Sequence, residues 1–400
     1  MSTGTIRPNL DFTKDVIAQG GDDLKKCYQC ATCSVVCPLS PDDRPFPRKE
    51  MMWAQWGAKD KLLADPDLWL CYQCNDCSVQ CPRGARPGDV MGALRKVAIA
   101  AYSVPSFMGR MVQNPSWFMV LIAVPVLLLG FLLTLGGGAE HAWGWAQFAS
   151  PTTEHGGYVF DAFVPHFIIY SVFVPASILA VLAFIAGGVR MWKGMKEAFP
   201  ATDASPQGGL VDVIKDILAH RHFDSCEDSK WRTWAHYGFL YGFGLLALTT
   251  SATIVLMYGF NLPPPLPFSP SHFFDGLLWK ICGNIGAVIL ISGCILTILK
   301  RTSDGVDTLK SSFSDWALVL VILVIGLTGF GAQLLRLWSS AAASGALAKV
   351  AYVTYFIHLV FVFYLILYAP YFKLAHLVYR TIALVYGRSI GRMQKEEAAA

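Results

Sequence analysis

Polar and apolar positions divide this chain into two regimes. Up to about residue 115 the apolar residues come in short groups broken by charge, with 14 Lys and Arg against 12 Asp and Glu. Beyond that point the chain runs in long uncharged stretches. A helix needs about 20 mostly apolar residues to cross a hydrocarbon core of about 30 Å. Six stretches meet that length, at 116–135, 164–188, 235–259, 276–299, 314–337 and 352–377. In the first regime, FPRKEMMWAQWG and GDVMGALRKVAIAAY have helical spacing rather than strand alternation. The pattern predicts an all-α protein, with a small helical head over 1–110 and a six-helix transmembrane body over 111–400.

The ends of the six stretches fit a bilayer. Trp117, Trp192, Trp234, Trp279, Trp316 and Trp338 all fall at or near a boundary, where an amphipathic indole is favoured. The 188–234 connection holds Arg190, Lys193, Lys196, Lys215, Arg221, Lys230 and Arg232, whereas 136–163 and 260–275 hold no Lys or Arg. Basic loops stay on the cytoplasmic side. The head, the 188–234 loop and the C-terminus are therefore expected in the cytoplasm, at the bacterial inner membrane. Six crossings return the chain to its starting side.

Composition sharpens this picture. Hydrophobic residues make up 54% and charged residues 15%, well under the usual quarter for a soluble domain. The first residues show no apolar core of a secretory signal. A net charge of +4, without basic runs interleaved with aromatics, gives no reason to expect nucleic acid.

The head contains CYQCATCSVVCP at 27–38 and a near-copy, CYQCNDCSVQCP, at 71–82. Each is C-x2-C-x2-C-x3-C-P. Three cysteines at that spacing surround one cubane, and the fourth, followed by proline, reaches a neighbouring cluster. Two [4Fe–4S] clusters are expected, one held by Cys27, Cys30, Cys33 and Cys81, the other by Cys71, Cys74, Cys77 and Cys37. Structural zinc usually takes separated C-x2-C pairs and does not need four cysteines within eleven residues. In a reducing compartment clustered thiols bind metal rather than pair as disulfides.

Four histidines lie within or at the edges of the apolar stretches: His166, His236, His358 and His376. Ligand-capable groups at such depth are functional candidates. His358 and His376 are 18 residues apart; on one unbroken helix they would share a face about 27 Å apart. Two b haems across the membrane would use that pair. Depth assigns His236 to His376 for an inner haem, and His166 to His358 for an outer one. His155 is a fallback ligand, while His141, His272, His220 and His222 are expected to be solvated. Lys280, Asn284, Gln333 and Arg336 are the polar candidates for a quinone site. Cys226, Cys282 and Cys294 are scattered. The last two, on one helix, would stand about 18 Å apart, too far for a disulfide.

The head, with Pro47, Arg48 and Lys49 between the cysteine motifs, resembles the iron–sulfur C-type component of heterodisulfide reductase. The body resembles the cytochrome b family that includes the nitrate reductase gamma subunit, whose last helix carries haem-ligating histidines 18 residues apart. Those relatives have a second histidine ten residues along the third helix, where this chain has Leu246. The fusion resembles the membrane subunits of quinone-interacting membrane-bound oxidoreductase (Qmo) complexes of sulfate-reducing bacteria. That resemblance implies electron exchange between menaquinone and cytoplasmic flavin and iron–sulfur subunits of the Qmo A and B kind, with adenylylsulfate reductase beyond them. The alternative is a membrane subunit of a heterodisulfide reductase or other quinone-linked complex. A disulfide reductase acting by itself would resemble its class in adjacent cysteines, and no Cys–Cys pair is present.

Overall fold

The computed structural model describes residues 7–41, 45–136, 143–151, 153–154, 157–200, 206–220, 230–262, 270–303, 310–339 and 345–392. The protein is helical. The strands among the described residues are β1 (Thr153–Glu154) and β2 (Gly157–Tyr158), which pair antiparallel.

Eight short helices build the head: α1 (Leu10–Ala18), α2 (Thr32–Val35), α3 (Arg48–Gln55), α4 (Lys59–Leu63), α5 (Asp67–Leu70), α6 (Asp76–Val79), α7 (Pro87–Tyr102) and α8 (Ser106–Gln113). Local chemistry sets their starts. Asn9 caps α1 by accepting the Phe12 amide at 2.9 Å, satisfying one of the donors that a helix start leaves unpaired. Pro87 opens α7, where its missing N–H costs nothing.

The body comprises α9 (Phe118–Thr134), α10 (Trp145–Ala149), α11 (Phe160–Phe163), α12 (His166–Ala198), α13 (Pro206–Ala219), α14 (Lys230–Ile254), α15 (Leu278–Thr302), α16 (Phe313–Ser339), α17 (Gly345–Tyr368) and α18 (His376–Ser389). Six helical segments are long and apolar enough to span a bilayer: Pro115–Thr134, His166–Ala198, Lys230–Gly259, Leu278–Thr302, Phe313–Arg336 and Gly345–Tyr371. Glycines draw α14 and α15 together. A Cβ on Gly238 would lie 2.6 Å from the Gly293 Cα, and one on Gly242 would lie 2.8 Å from the Leu290 Cβ. Small residues of this kind let helix backbones approach where lipid gives no hydrophobic drive.

Two segments depart from the sequence expectation. The second span runs on to Ala198, and its polar end is not a free loop. Met191 and Met195 are fully buried against the head. The sixth span ends at Tyr368, followed by 3-10 turns at Ala369–Tyr371 and Lys373–Ala375, and then α18 begins at His376. Pro370 causes the break: its ring lacks an amide donor and clashes with the carbonyl four residues back. His358 and His376 therefore stand on different helices, and the argument from five unbroken turns does not hold.

Head and body share one apolar core. Phe12, Leu24, Met51, Leu68, Trp69 and Leu94 of the head pack in the same cluster as Met191, Tyr379, Ala383 and Tyr386 of the body. Trp69 and Tyr379 rings meet at 5.7 Å. Burying a large apolar side chain contributes about 1.5–3 kcal/mol, so this joint is firm.

Candidate functional site

The two cysteine motifs fold alike. Gln29 and Ala31 in the first copy have φ of 67° and 71°; Gln73 and Asn75 in the second have 54° and 81°. Left-handed backbone on both sides of the second cysteine curls the chain around a centre, at a cost of about 1–3 kcal/mol per strained residue. A one-turn helix (α2 or α6) then carries the third cysteine, and Cys33 and Cys77 are each 8% exposed. Amides approach the sulfurs, from Gln73 N to Cys71 Sγ at 3.3 Å and from Ala85 N to Cys81 Sγ at 3.4 Å. Such bonds stabilise thiolates and tune clusters.

The fourth cysteine of each copy stands with the other copy. Burial pushes the Cys33 thiol up to about 12, and Cys27, Cys30 and Cys81 act on it as neighbours. Burial likewise pushes Cys37 up to about 12, with Cys71 and Cys74 as its thiol neighbours. Cys37, Cys71, Cys74 and Cys77 line one pocket. A tetrahedral zinc site would bring its sulfurs to within about 4 Å of one another. Among the described residues, the group of three or more ligand atoms within 4.8 Å is Glu50, Asp65 and Asp67, not the thiols. Thiols held protonated by burial lose their protons when iron binds.

The carboxylate group is already filled by side chains. Lys49 Nζ lies 2.6 Å from Asp65, 2.5 Å from Asp67 and 3.4 Å from Glu50, and Arg392 pairs with Asp67. An ammonium sits where a divalent ion would. Glu50 is 0% exposed and its oxygens make no hydrogen bond. Burial, resisted by Lys49 and reinforced by Asp65 and Asp67, raises its carboxyl to about 8.

In the body, His236 and His376 come together, their ring centres 6.5 Å apart and their planes at 77°. A bis-imidazole iron, with metal–nitrogen bonds of about 2.0 Å on either side, separates its ring centres by about 6 Å. His376 Nδ1 donates to the Lys373 carbonyl at 2.6 Å, which leaves Nε2 as the nitrogen available to a metal. His220 Nε2 meets His236 Nδ1 at 2.6 Å. Histidine ligands are oriented through their second nitrogen in this way. The rings border a space of about 660 Å³, counted to its open side and also lined by Arg380 and Arg388. Arg380 Nη2 is buried without a hydrogen-bond partner. A flat, apolar group bearing carboxylates fits this set, with Arg380 placed for an anionic edge.

His220 corrects the sequence expectation: it is 3% exposed, not solvated. Nothing in the loop pattern marks it, because its burial depends on α13 folding under α18. His166 and His358, expected together as an outer pair, each have a partner of their own. His166 binds Asp161 and stacks near Tyr170 at 6.3 Å. His358 faces α16, through the Ile325 carbonyl at 3.1 Å and the Thr328 hydroxyl at 3.3 Å. Where α12 meets α17, Phe173 packs on Phe363 with ring centres 5.5 Å apart. Lys280 and Arg336 are electrostatic neighbours. His141, His155, His222 and Cys226 lie outside the described residues.

Sequence reasoning also passed over the joint between the two centres. Tyr72 lines the pocket of His236 and His376 and also that of Cys71, Cys74 and Cys77. Arg232, one turn before His236, donates to the Tyr72 carbonyl at 2.7 Å and to the Gln73 carbonyl. Arg380, one turn after His376, lies 3.9 Å over the Tyr72 ring. Arg95 donates to the carbonyls of Leu68, at 2.8 Å, and Cys71. The signal available was the helical spacing: Arg232 and Arg380 are each four residues from a histidine.

Comparison with known proteins divides the chain along the same line. The family described as citrate utilization protein B matches residues 120–399, and the 4Fe–4S dicluster domain matches residues 23–85. The Escherichia coli citrate utilization protein B is 25% identical over 302 residues, 74% of this chain and 73% of that protein. The C component of the H(2):CoB-CoM heterodisulfide,ferredoxin reductase of Methanothermobacter marburgensis is 36% identical over 95 residues, 23% of this chain. The match spans about half (51%) of that relative's length. The E component of the dihydromethanophenazine:CoB–CoM heterodisulfide reductase of Methanosarcina thermophila is 27% identical over 199 residues, 48% of this chain and 71% of that protein. No solved structure matches. The head is thus an iron–sulfur dicluster domain on a multi-pass membrane body, and the chain has a membrane electron-transfer role.

Proposed function

The chain belongs to the citrate utilization protein B family, and we propose that it links a membrane quinol pool to cytoplasmic flavoprotein subunits through one b haem and two [4Fe–4S] clusters. The observation that carries this reading is the His236–His376 pair at 6.5 Å, opening onto the cysteine loop through Tyr72. When bound, haem and clusters supply one-electron exchange, which these side chains cannot provide. Cys27, Cys30, Cys33 and Cys81 hold one cluster, and Cys71, Cys74, Cys77 and Cys37 hold the other. His236 and His376 hold the haem. His220 and the Lys373 carbonyl fix their rings, and Arg380 would be available to an anionic edge of the bound group. The proposal places its haem on His236 and His376, whose rings stand at a separation that suits one iron between them.

A quinol is a two-electron donor, so centres held by these residues would supply the one-electron exchange that its oxidation requires. Menaquinone as the pool, Qmo A- and B-like partners, and adenylylsulfate reductase as the distal acceptor follow from the resemblance of the cysteine motifs and body. A pyridine haemochrome and iron assay on the purified chain tests the core of the proposal. One haem and about eight non-haem irons are expected; zinc in the thiols, or no haem, would overturn it.

A further inference from the structure

The two clusters of the proposed function would have near-identical ligand sequences but unequal surroundings. Around the second, Arg95, Arg232 and Arg380 are half-buried and gather on residues 71–73, the loop that bears Cys71 and leads to Cys74. Around the first, Arg48 is the cation acting on Cys27 and Cys30, and Arg83 lies 4.2 Å over the Tyr28 ring. Both of those are exposed, so water and salt screen them. Reduction adds one negative charge to a cluster, and partly buried cations stabilise that charge more than exposed ones do.

We propose that Arg95, Arg232 and Arg380 make the cluster of Cys71, Cys74, Cys77 and Cys37 the higher-potential of the two, and that Tyr72, clamped by two of them, bridges it to the histidine pocket. The bridge undergoes no net chemistry. One electron lost on the body side is the electron gained on the head side, and the phenol keeps its proton. Arg232 and Arg380 also tie the bridge to the two helices that carry His236 and His376, so a single contact sets both separation and potential. This inference rests on the cluster and haem assignments above.

The test is a dithionite titration of the full-length purified chain, followed by electron paramagnetic resonance, with iron and haem measured on the same samples. Wild type is expected to show two cluster waves at separate potentials. Arg380→Gln and Arg232→Gln are each expected to shift the upper wave down toward the lower one. Arg83→Gln, over the equivalent tyrosine of the first copy, is expected to leave the upper wave in place. Tyr72→Ala is expected to lose most of the rate of electron transfer between haem and that cluster in freeze-quenched samples, with iron and haem content retained. Unmoved waves in both arginine variants at full iron content, or movement of the lower wave instead, would overturn the potential assignment. An unchanged transfer rate in Tyr72→Ala would overturn the bridge. Missing iron or haem in wild type would instead reject the function proposed above, so the two failures are distinguishable.

Discussion

The two cysteine motifs are one sequence device in two settings. Both have left-handed residues on either side of the second cysteine and bury the third on a one-turn helix. They part in what covers them. Tyr72 lies under Arg380, against the histidine pocket, while its counterpart Tyr28 is 61% exposed. Cys30 is exposed and its counterpart Cys74 is half-buried. Val35 is 83% exposed and Val79 45%. Identical ligand spacing thus gives one centre facing the membrane body and one facing water. Direction is a property of the packing, not of the motif.

The largest effect should come from breaking the exchange of ligands. Cys81→Ser lies in the second copy, yet it should remove the cluster of the first, with loss of about four of eight irons. Iron assay with resonance spectra would show whether the surviving signal is the one beside the haem. Next comes His236→Ala, which should abolish the haem spectrum and leave the iron count unchanged, whereas His166→Ala should leave the haem in place. Loss of haem in the latter would restore the outer pair.

A smaller effect concerns Glu50, in the segment between the copies. Its carboxyl is raised to about 8 from 4.5, so the folded state holds a proton that the unfolded state releases. That contribution is complete below about pH 4.5 and is lost as pH rises through 8. Thermal unfolding at pH 5 and pH 9 should show wild type losing stability at the higher pH, by about 4 kcal/mol, and Glu50→Gln changing little. Least affected should be Tyr28→Ala, with a stability change within about 0.5 kcal/mol. Tyr72→Ala removes a ring under a half-buried cation and should cost about 1–2 kcal/mol.

Much of the architecture could be read from residue patterns. Six apolar runs and the doubled C-x2-C-x2-C-x3-C-P announce themselves because membrane crossing and cluster binding each impose a local rule. His236 and His376 were also within reach, through their matching depth, but the argument that linked His358 to His376 was wrong. The interval of 18 assumed one helix through YAPYF, and Pro370 ends it; the pair meets because α18 turns back toward α14. His220 and Tyr72 were out of reach, and Arg232 and Arg380 were marked by nothing more than their four-residue spacing from a histidine. Their roles depend on which surfaces of α13, α14, α18 and the head come together, and no spacing rule encodes contacts between segments so far apart in the chain. The polar end of α12 was misjudged for a similar reason, since Met191 and Met195 read as loop until the head covers them.

One consequence follows from Trp69 seated against Tyr379 and the core they share with Met191 and Tyr386. A head cut away near residue 110 would emerge with a raw greasy wall and would clump rather than float free. Nor can this cap swing on a tether to search for its redox mate. Whatever docks must travel to it, so turnover in the living cell would be paced by the visitor's arrival and not by any movement of the host.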